Sequence, residues 1–209
     1  MAGQRYTRVA ARLVRILREG DCAIVGGLAV NAYGYVRATR DVDLIVALPL
    51  HEARRRLADA GLPTKLLRGD MLDGGFDRLK GVLGGVPFDV LPPLVPLETE
   101  RTVVLEVHGL RLPVVDFETL VRLKLRAGGP RDLLDLAMLV NLRPERRARA
   151  LALAVAAPDV AKRLLALIDD PRVIRDARER VLEDKLLAPP SREGRRRKRS
   201  EAKIRRARD

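Results

Sequence analysis

At 209 residues and 47% hydrophobic composition, the chain suits one globular domain with a sizeable core, or such a core with a helical appendage. Aromatic residues make up only 3%, which counts against a base-stacking platform; one Cys and two His exclude an internal disulfide and a Cys/His zinc cluster; and no apolar run suits a membrane span or signal peptide, so a cytoplasmic protein without a membrane partner is expected. The net charge of +13 favours polyanionic partners, and residues 189–209 carry ten Lys/Arg against three Asp/Glu.

Residues 5–19 place Val9, Leu13, Ile16 and Leu17 at helical spacing. Arg5, Arg8, Arg12 and Arg15 recur at threes and fours on another face. That stripe reads as a solvated face, or as a phosphate contact if the partner is a nucleic acid. A short apolar strand, Cys22–Val25, follows, with Cys22 as a core residue; then a helix runs from Gly27 to about Ala32 and breaks at Tyr33-Gly34-Tyr35. A strand is expected over 42–48, and a helix from Pro49 to about Ala60, with Gly61 at its C-terminal cap. The glycine-rich region 69–85 predicts a hairpin, with Arg78 to Leu83 and 86–91 as its strands, ended by Pro92-Pro93. Strands near 102–107 and 110–115 join through His108-Gly109. Beyond Asp116, a good N-cap, helices are predicted at about 117–127, 131–141, 145–156, 159–168 and 172–187. Pro144, Pro158 and Pro171 suit their starts. The fold class is α/β (α+β): a core with a mixed sheet over 1–115, a helical C-terminal region over 116–188, and a basic tail over 189–209, too charged to pack and read as disordered.

The residues that point to chemistry cluster between 26 and 43. Gly26-Gly27 ends an apolar run, and fourteen residues after the second glycine Asp41 and Asp43 open another. Glycines after a strand let backbone N–H groups approach phosphates closely. Carboxylates spaced i, i+2 on a strand share a face and repel unless a cation or a proton lies between them. Mg2+ suits such a pair, because it takes carboxylates, waters and substrate phosphates. Asp89 sits between Phe88 and Val90 on a later strand and, taken alone, reads as a water-facing acid. Lys124, among Leu120, Val121, Leu123 and Leu125, reads alone as a basic residue on a solvated face. Arg40 and Arg37 add charge for phosphates or neutralise the acids. Asp132 and Asp135, three apart on one helix face, are placed to tie Arg131 or Lys124 or to cap the helix, not to bind metal. His51 and His108 read as solvent or turn positions.

The stretch Gly26-Gly27-Leu28-Ala29, then Gly34-Tyr35-Val36-Arg37-Ala38-Thr39-Arg40-Asp41-Val42-Asp43-Leu44, closely resembles the core of the nucleotidyltransferase superfamily, the polymerase-beta-like fold. Within it the pattern is similar to the AbiEii/MenT-type branch, whose members are typically toxins of toxin–antitoxin pairs. The resemblance covers residues 20 to 140. It implies a third carboxylate, which Asp89 supplies, and a post-core lysine contacting a triphosphate, which Lys124 matches. Many superfamily members carry Gly-Ser where this chain has Gly26-Gly27. The resemblance also implies two-metal chemistry with Mg2+ or Mn2+. Asp41, Asp43 and Asp89 would bind the metals, Asp89 would serve as base, and Gly26, Gly27, Arg40 and Lys124 would hold the NTP. It implies a tRNA acceptor end as substrate and a cognate antitoxin as a possible partner. Two alternatives stand beside it: a nucleotidyltransferase acting on a protein or a small molecule such as an aminoglycoside, and a degenerate nucleotide- or RNA-binding module. Retention of all three aspartates argues against the last.

Overall fold

A computed structural model describes residues 2–18, 20–69, 77–92, 102–147, 150 and 158–187. The basic tail lies outside the described residues.

The chain opens with α1 (Ala2–Leu17), whose Val9, Ala10, Leu13, Val14 and Leu17 are buried in one stripe. β1 (Cys22–Ile24), α2 (Gly26–Ala32), β2 (Val42–Val46) and α3 (Leu50–Asp59) follow. Three-residue β3 (Lys65–Leu67) leads to the hairpin β4 (Arg78–Leu83) and β5 (Val86–Leu91). A second hairpin, β6 (Thr102–Val107) and β7 (Leu110–Val115), precedes α4 (Phe117–Ala127) and α5 (Pro130–Leu142). A 3-10 turn at Pro144–Arg146, α6 (Pro158–Ile168) and α7 (Pro171–Leu187) complete the described chain.

Both hairpins close on two-residue turns with positive φ, at Gly84 (58°) and Gly85 (75°), and at His108 (49°) and Gly109 (82°). Turns of that hand match the twist of the flanking strands. His108 tolerates its conformation with its ring nitrogen 3.0 Å from the Thr7 hydroxyl on α1. α4 starts where the Asp116 carboxylate accepts the Thr119 N–H at 2.6 Å and ends at Gly128, in the left-handed region.

The strands form one mixed seven-stranded sheet in the order β3-β4-β5-β2-β1-β7-β6. β1 is antiparallel to β2 and parallel to β7, and β2 is parallel to β5. β1 and most of β2 are buried on both faces, which their unbroken apolar runs require. At the β4–β5 pair the fully buried Phe88 ring lies over Gly81, where a Cβ would fall 2.3 Å from a ring carbon. α4 sends Leu120 and Val121 into the core, and α5 packs against α6 and α7.

Three sequence expectations are corrected. The strand expected over 42–48 ends at Val46. The helix expected over 145–156 begins as a 3-10 turn, and residues 151–157 lie outside the described residues. β3 was not anticipated: three residues at a sheet edge leave too short a pattern to show alternation.

Candidate active site

The sheet order determines the site. Because β5 lies directly beside β2, residues far apart in sequence fall into one row. Asp43 is the register partner of Asp89 on the neighbouring parallel strand. Register partners on adjacent strands share a face about 5 Å apart, so the two carboxylates project side by side. Asp41 stands two residues before Asp43, at the exposed mouth of the strand. Asp43 is partly buried between them, and its carboxyl is pushed up to about 7, first by burial and then by the charges of Asp41 and Asp89. Neither Asp41 nor Asp43 forms an ion pair among the described residues.

Asp89 is placed differently from the other two. Its Oδ2 lies 3.4 Å from Arg78 Nε and 3.6 Å from Lys80 Nζ, both on β4. Arg78 Nε has no hydrogen-bond partner, so this contact is one of charge and not of hydrogen-bond geometry. Burial raises the Asp89 carboxyl above its ordinary range, while Lys80 and Arg78 pull it back. Among the described residues no three His, Cys, Asp or Glu side chains stand as a metal-holding group. Asp89 thus shares the row with Asp43, and its Oδ2 leans toward two cations across the hairpin.

The glycine pair meets the row from the other side. The Val25 N–H donates to the Asp43 carbonyl at 3.0 Å, tying the turn before α2 to β2. Gly26 has φ +62°, and a Cβ on it would stand 2.0 Å from Asp43 Oδ2. A Cβ on Gly27 would stand 2.6 Å from the Thr39 hydroxyl. That hydroxyl donates to the Asp41 carbonyl at 3.1 Å. Thr39 thus fills the volume that a residue 27 side chain would take, so a Ser there would force Thr39 to shift.

The far wall comes from α4, α5 and the loop 35–41. Lys124 is 7% exposed, which rules out a solvated face. Its Nζ donates to Asp132 Oδ1 at 2.6 Å and to Asp135 Oδ2 at 2.8 Å. Asp135 also accepts Arg37 Nε at 2.6 Å and Arg37 Nη2 at 2.7 Å, a two-pronged pair. Burial works against the Arg37 charge, but the Asp135 hydrogen bond and charge outweigh it and hold the guanidinium protonated. The Asn31 side chain brackets the Arg37 backbone, and Arg131 donates to the Ala38 carbonyl at 2.9 Å.

These walls enclose an open cavity of about 240 Å3. It brings together Gly26, Gly27, Arg40, Asp41, Asp43 and Lys124, with Arg131 and Thr39 added to the sequence-predicted set. Asp89 is not among its lining residues. The sequence reading did not single out Thr39, although it stands two residues before Asp41. Arg37 is committed to Asp135 and not to the aspartate row.

No family model matches the chain, and no curated protein sequence matches it. Solved structures do. A candidate nucleotidyltransferase from Thermotoga maritima superposes with a TM-score of 0.50 at 17% identity, over 60% of this chain and 86% of that one. The antibiotic-resistance factor ANT(2'')-Ia, in complex with adenylyl-2''-tobramycin, gives 0.46 at 14% identity, over 83% and 98% of the two chains. A CCA-adding enzyme bound to ATP gives 0.42 at 17% identity, over 86% of this chain and 48% of that one. These are likenesses of fold, and the first shows that this chain has the mixed α/β fold of nucleotidyltransferases.

Proposed function

We propose that this chain is a metal-dependent nucleotidyltransferase that moves a nucleotide from an NTP to RNA. By its sequence resemblance the acceptor is a tRNA end, and the protein is the toxin of a toxin–antitoxin pair with a cognate antitoxin as partner. The observation that carries the reading is the in-register pairing of Asp43 with Asp89, two residues beyond Asp41, at a glycine turn whose Cβ-free backbone touches Asp43.

The donors in the row are all carboxylate oxygens, and Asp41 and Asp43 have no cation partner among the described residues. That combination fits a hard divalent ion such as Mg2+ or Mn2+. Asp41 and Asp43 would hold it, with Asp89 beside them. When bound, such an ion neutralises charge on a transferring phosphoryl group and lowers the pKa of a hydroxyl it touches.

The remaining work falls to the chain's own residues. Gly26 and Gly27 leave backbone N–H groups open to the β- and γ-phosphates. Arg40 and Arg131 add positive charge at the cavity wall. Lys124 would reach a phosphate by exchanging Asp132, its less buried partner, while Asp135 keeps hold of it. The acceptor hydroxyl oxygen bonds to the α-phosphorus, the bond to the bridging oxygen breaks, and pyrophosphate leaves. The hydroxyl proton passes to Asp89, whose raised pKa suits a proton acceptor. Positioning and charge do most of this work.

The acceptor class is tested by incubating the protein with a divalent ion and each labelled NTP against total RNA, a panel of aminoglycosides, and no added acceptor. Label on RNA is expected. Label on an aminoglycoside, or on protein alone, would replace the RNA reading with the small-molecule or protein-modifying one.

A further inference from the structure

A second cleft opens away from the aspartate row, between α1 and the β6–β7 hairpin. It has a volume of about 500 Å3 and shares no residue with the cavity described above. Its floor is apolar, with Val14 and Leu112 nearly covered, and its rim carries Arg15, Arg18 and Arg111.

The guanidinium groups of these three arginines make no ion pair or hydrogen bond among the described residues. Several other arginines are paired, among them Arg37 with Asp135, Arg55 and Arg56 with Glu52, Arg122 with Glu118, and Arg147 with Asp169; what sets these three apart is that they converge on one cleft. Even Glu106, the register partner of Arg111 on β6, forms no ion pair with it. The sequence supplies the imbalance, because α1 holds four arginines and no Asp or Glu. Arg8 and Arg12 continue the exposed row along α1 toward Arg15. Arg5, at the start of the helix, donates instead to the Gly84 carbonyl, so the row runs from Arg8 to Arg15, a rise of about 10 Å along a helix.

Arg18 adds a second observation. It sits just beyond α1 with φ 78°, in the left-handed region where a helix end ordinarily takes glycine. An arginine in that conformation puts up with backbone strain, and its side chain lines the cleft. Unpaired charge on an apolar floor, extended as a row, matches a polymer with regularly spaced anions and flat apolar groups between them.

We propose that the α1/β7 cleft is a binding seat for the RNA backbone, with Arg15, Arg18 and Arg111 on phosphates and the apolar floor under a nucleoside. The seat is separate from the transfer site. It deepens the RNA reading given above, but its test needs no NTP and no catalysis.

The test is equilibrium binding of a labelled RNA hairpin with a single-stranded end to the full chain, at several salt concentrations. Three proteins are compared: the wild type, Arg15→Gln/Arg18→Gln/Arg111→Gln, and a charge-matched control, Lys162→Gln/Arg163→Gln/Arg175→Gln, altered at exposed positions of α6 and α7. Thermal melts establish that all three fold. Loss of three phosphate contacts should make the slope of log K against log salt shallower by about 2 and weaken binding by about 10- to 100-fold near physiological salt. The control should change affinity less than about threefold, as charges remote from the nucleic acid do. Equal losses in the two variants would show diffuse attraction and overturn the seat, as would no loss in either. Displacement of the RNA by polyglutamate of matched charge at the same concentration would overturn RNA as the occupant. If the cleft variant alone loses RNA binding while the wild type transfers no nucleotide, the seat stands and the transfer reading falls.

Discussion

Gly26 is the residue with the least freedom in the site. Its φ of +62° and the 2.0 Å gap from a built Cβ to Asp43 Oδ2 mean that Gly26→Ala must displace the carboxylate. The strained backbone alone costs about 1–2 kcal/mol. We expect a chain that still folds but loses nucleotide transfer by at least about 100-fold, a misplacement penalty readable in single-turnover rates. Gly27→Ser should weaken NTP binding by crowding Thr39, and Thr39→Ala in the same chain should restore part of it. Isothermal titration of the two variants checks this, and absence of any rescue would mean that Thr39 is not what excludes the side chain. Asp43 gives a pH prediction. Its carboxyl titrates near 7 in the folded chain, against 3.8 ordinarily. Between those values the folded state holds a proton that the unfolded state has released. Its contribution to stability is therefore fully present below about pH 4 and is lost as pH rises through 7, by at most about 4 kcal/mol. In the presence of a chelator, urea melts of the wild type should lose stability across this window relative to Asp43→Asn. A wild type as flat as the variant would show that the Asp43 carboxyl is not perturbed.

Among the elements, α5 is what joins the helical half to the sheet half at the site. Asp135, 1% exposed, takes both Arg37 from the loop and Lys124 from α4. Removing one member of a buried charge network leaves the others unpaired, so Asp135→Ala should cost about 3–5 kcal/mol in a denaturant melt. Asp132→Ala, at the more exposed cavity edge, should cost under about 1 kcal/mol. Equal costs would mean that the network does not hold the loop. Much of the element pattern was legible in the sequence. Both hairpins and α4 were bounded by turn glycines, Asp116 and Gly128, whose conformations are local. The Arg37–Asp135 pair spans 98 positions and leaves no periodic trace. The same holds for Asp89. Its place beside Asp43 follows from β5 inserting next to β2, and strand order is not a property of either strand's own sequence. Family resemblance, and not periodicity, singled out Asp89. The lean of its carboxylate toward Arg78 and Lys80 depends on pairing across β4.

For the whole molecule, charge and chemistry are divided. Asp41 and Asp43 line one cavity, Arg15, Arg18 and Arg111 line another, and residues 189–209 carry +7 of the +13 net charge. Removing that tail should lower RNA affinity and flatten its salt dependence, while melting behaviour and NTP affinity stay as in the wild type. A fall in NTP affinity would mean that the tail takes part in the site. The transfer reading itself meets its hardest test in the position of the label. The protein is incubated with a divalent ion, RNA, and the same NTP labelled either at the α- or at the γ-phosphate, alongside Asp43→Asn. Nucleotidyl transfer predicts that RNA takes α-label and no γ-label, that pyrophosphate is released in equal amount, and that Asp43→Asn abolishes both. Incorporation of γ-label, or α-label that survives Asp43→Asn in a folded protein, would contradict transfer at the aspartate row.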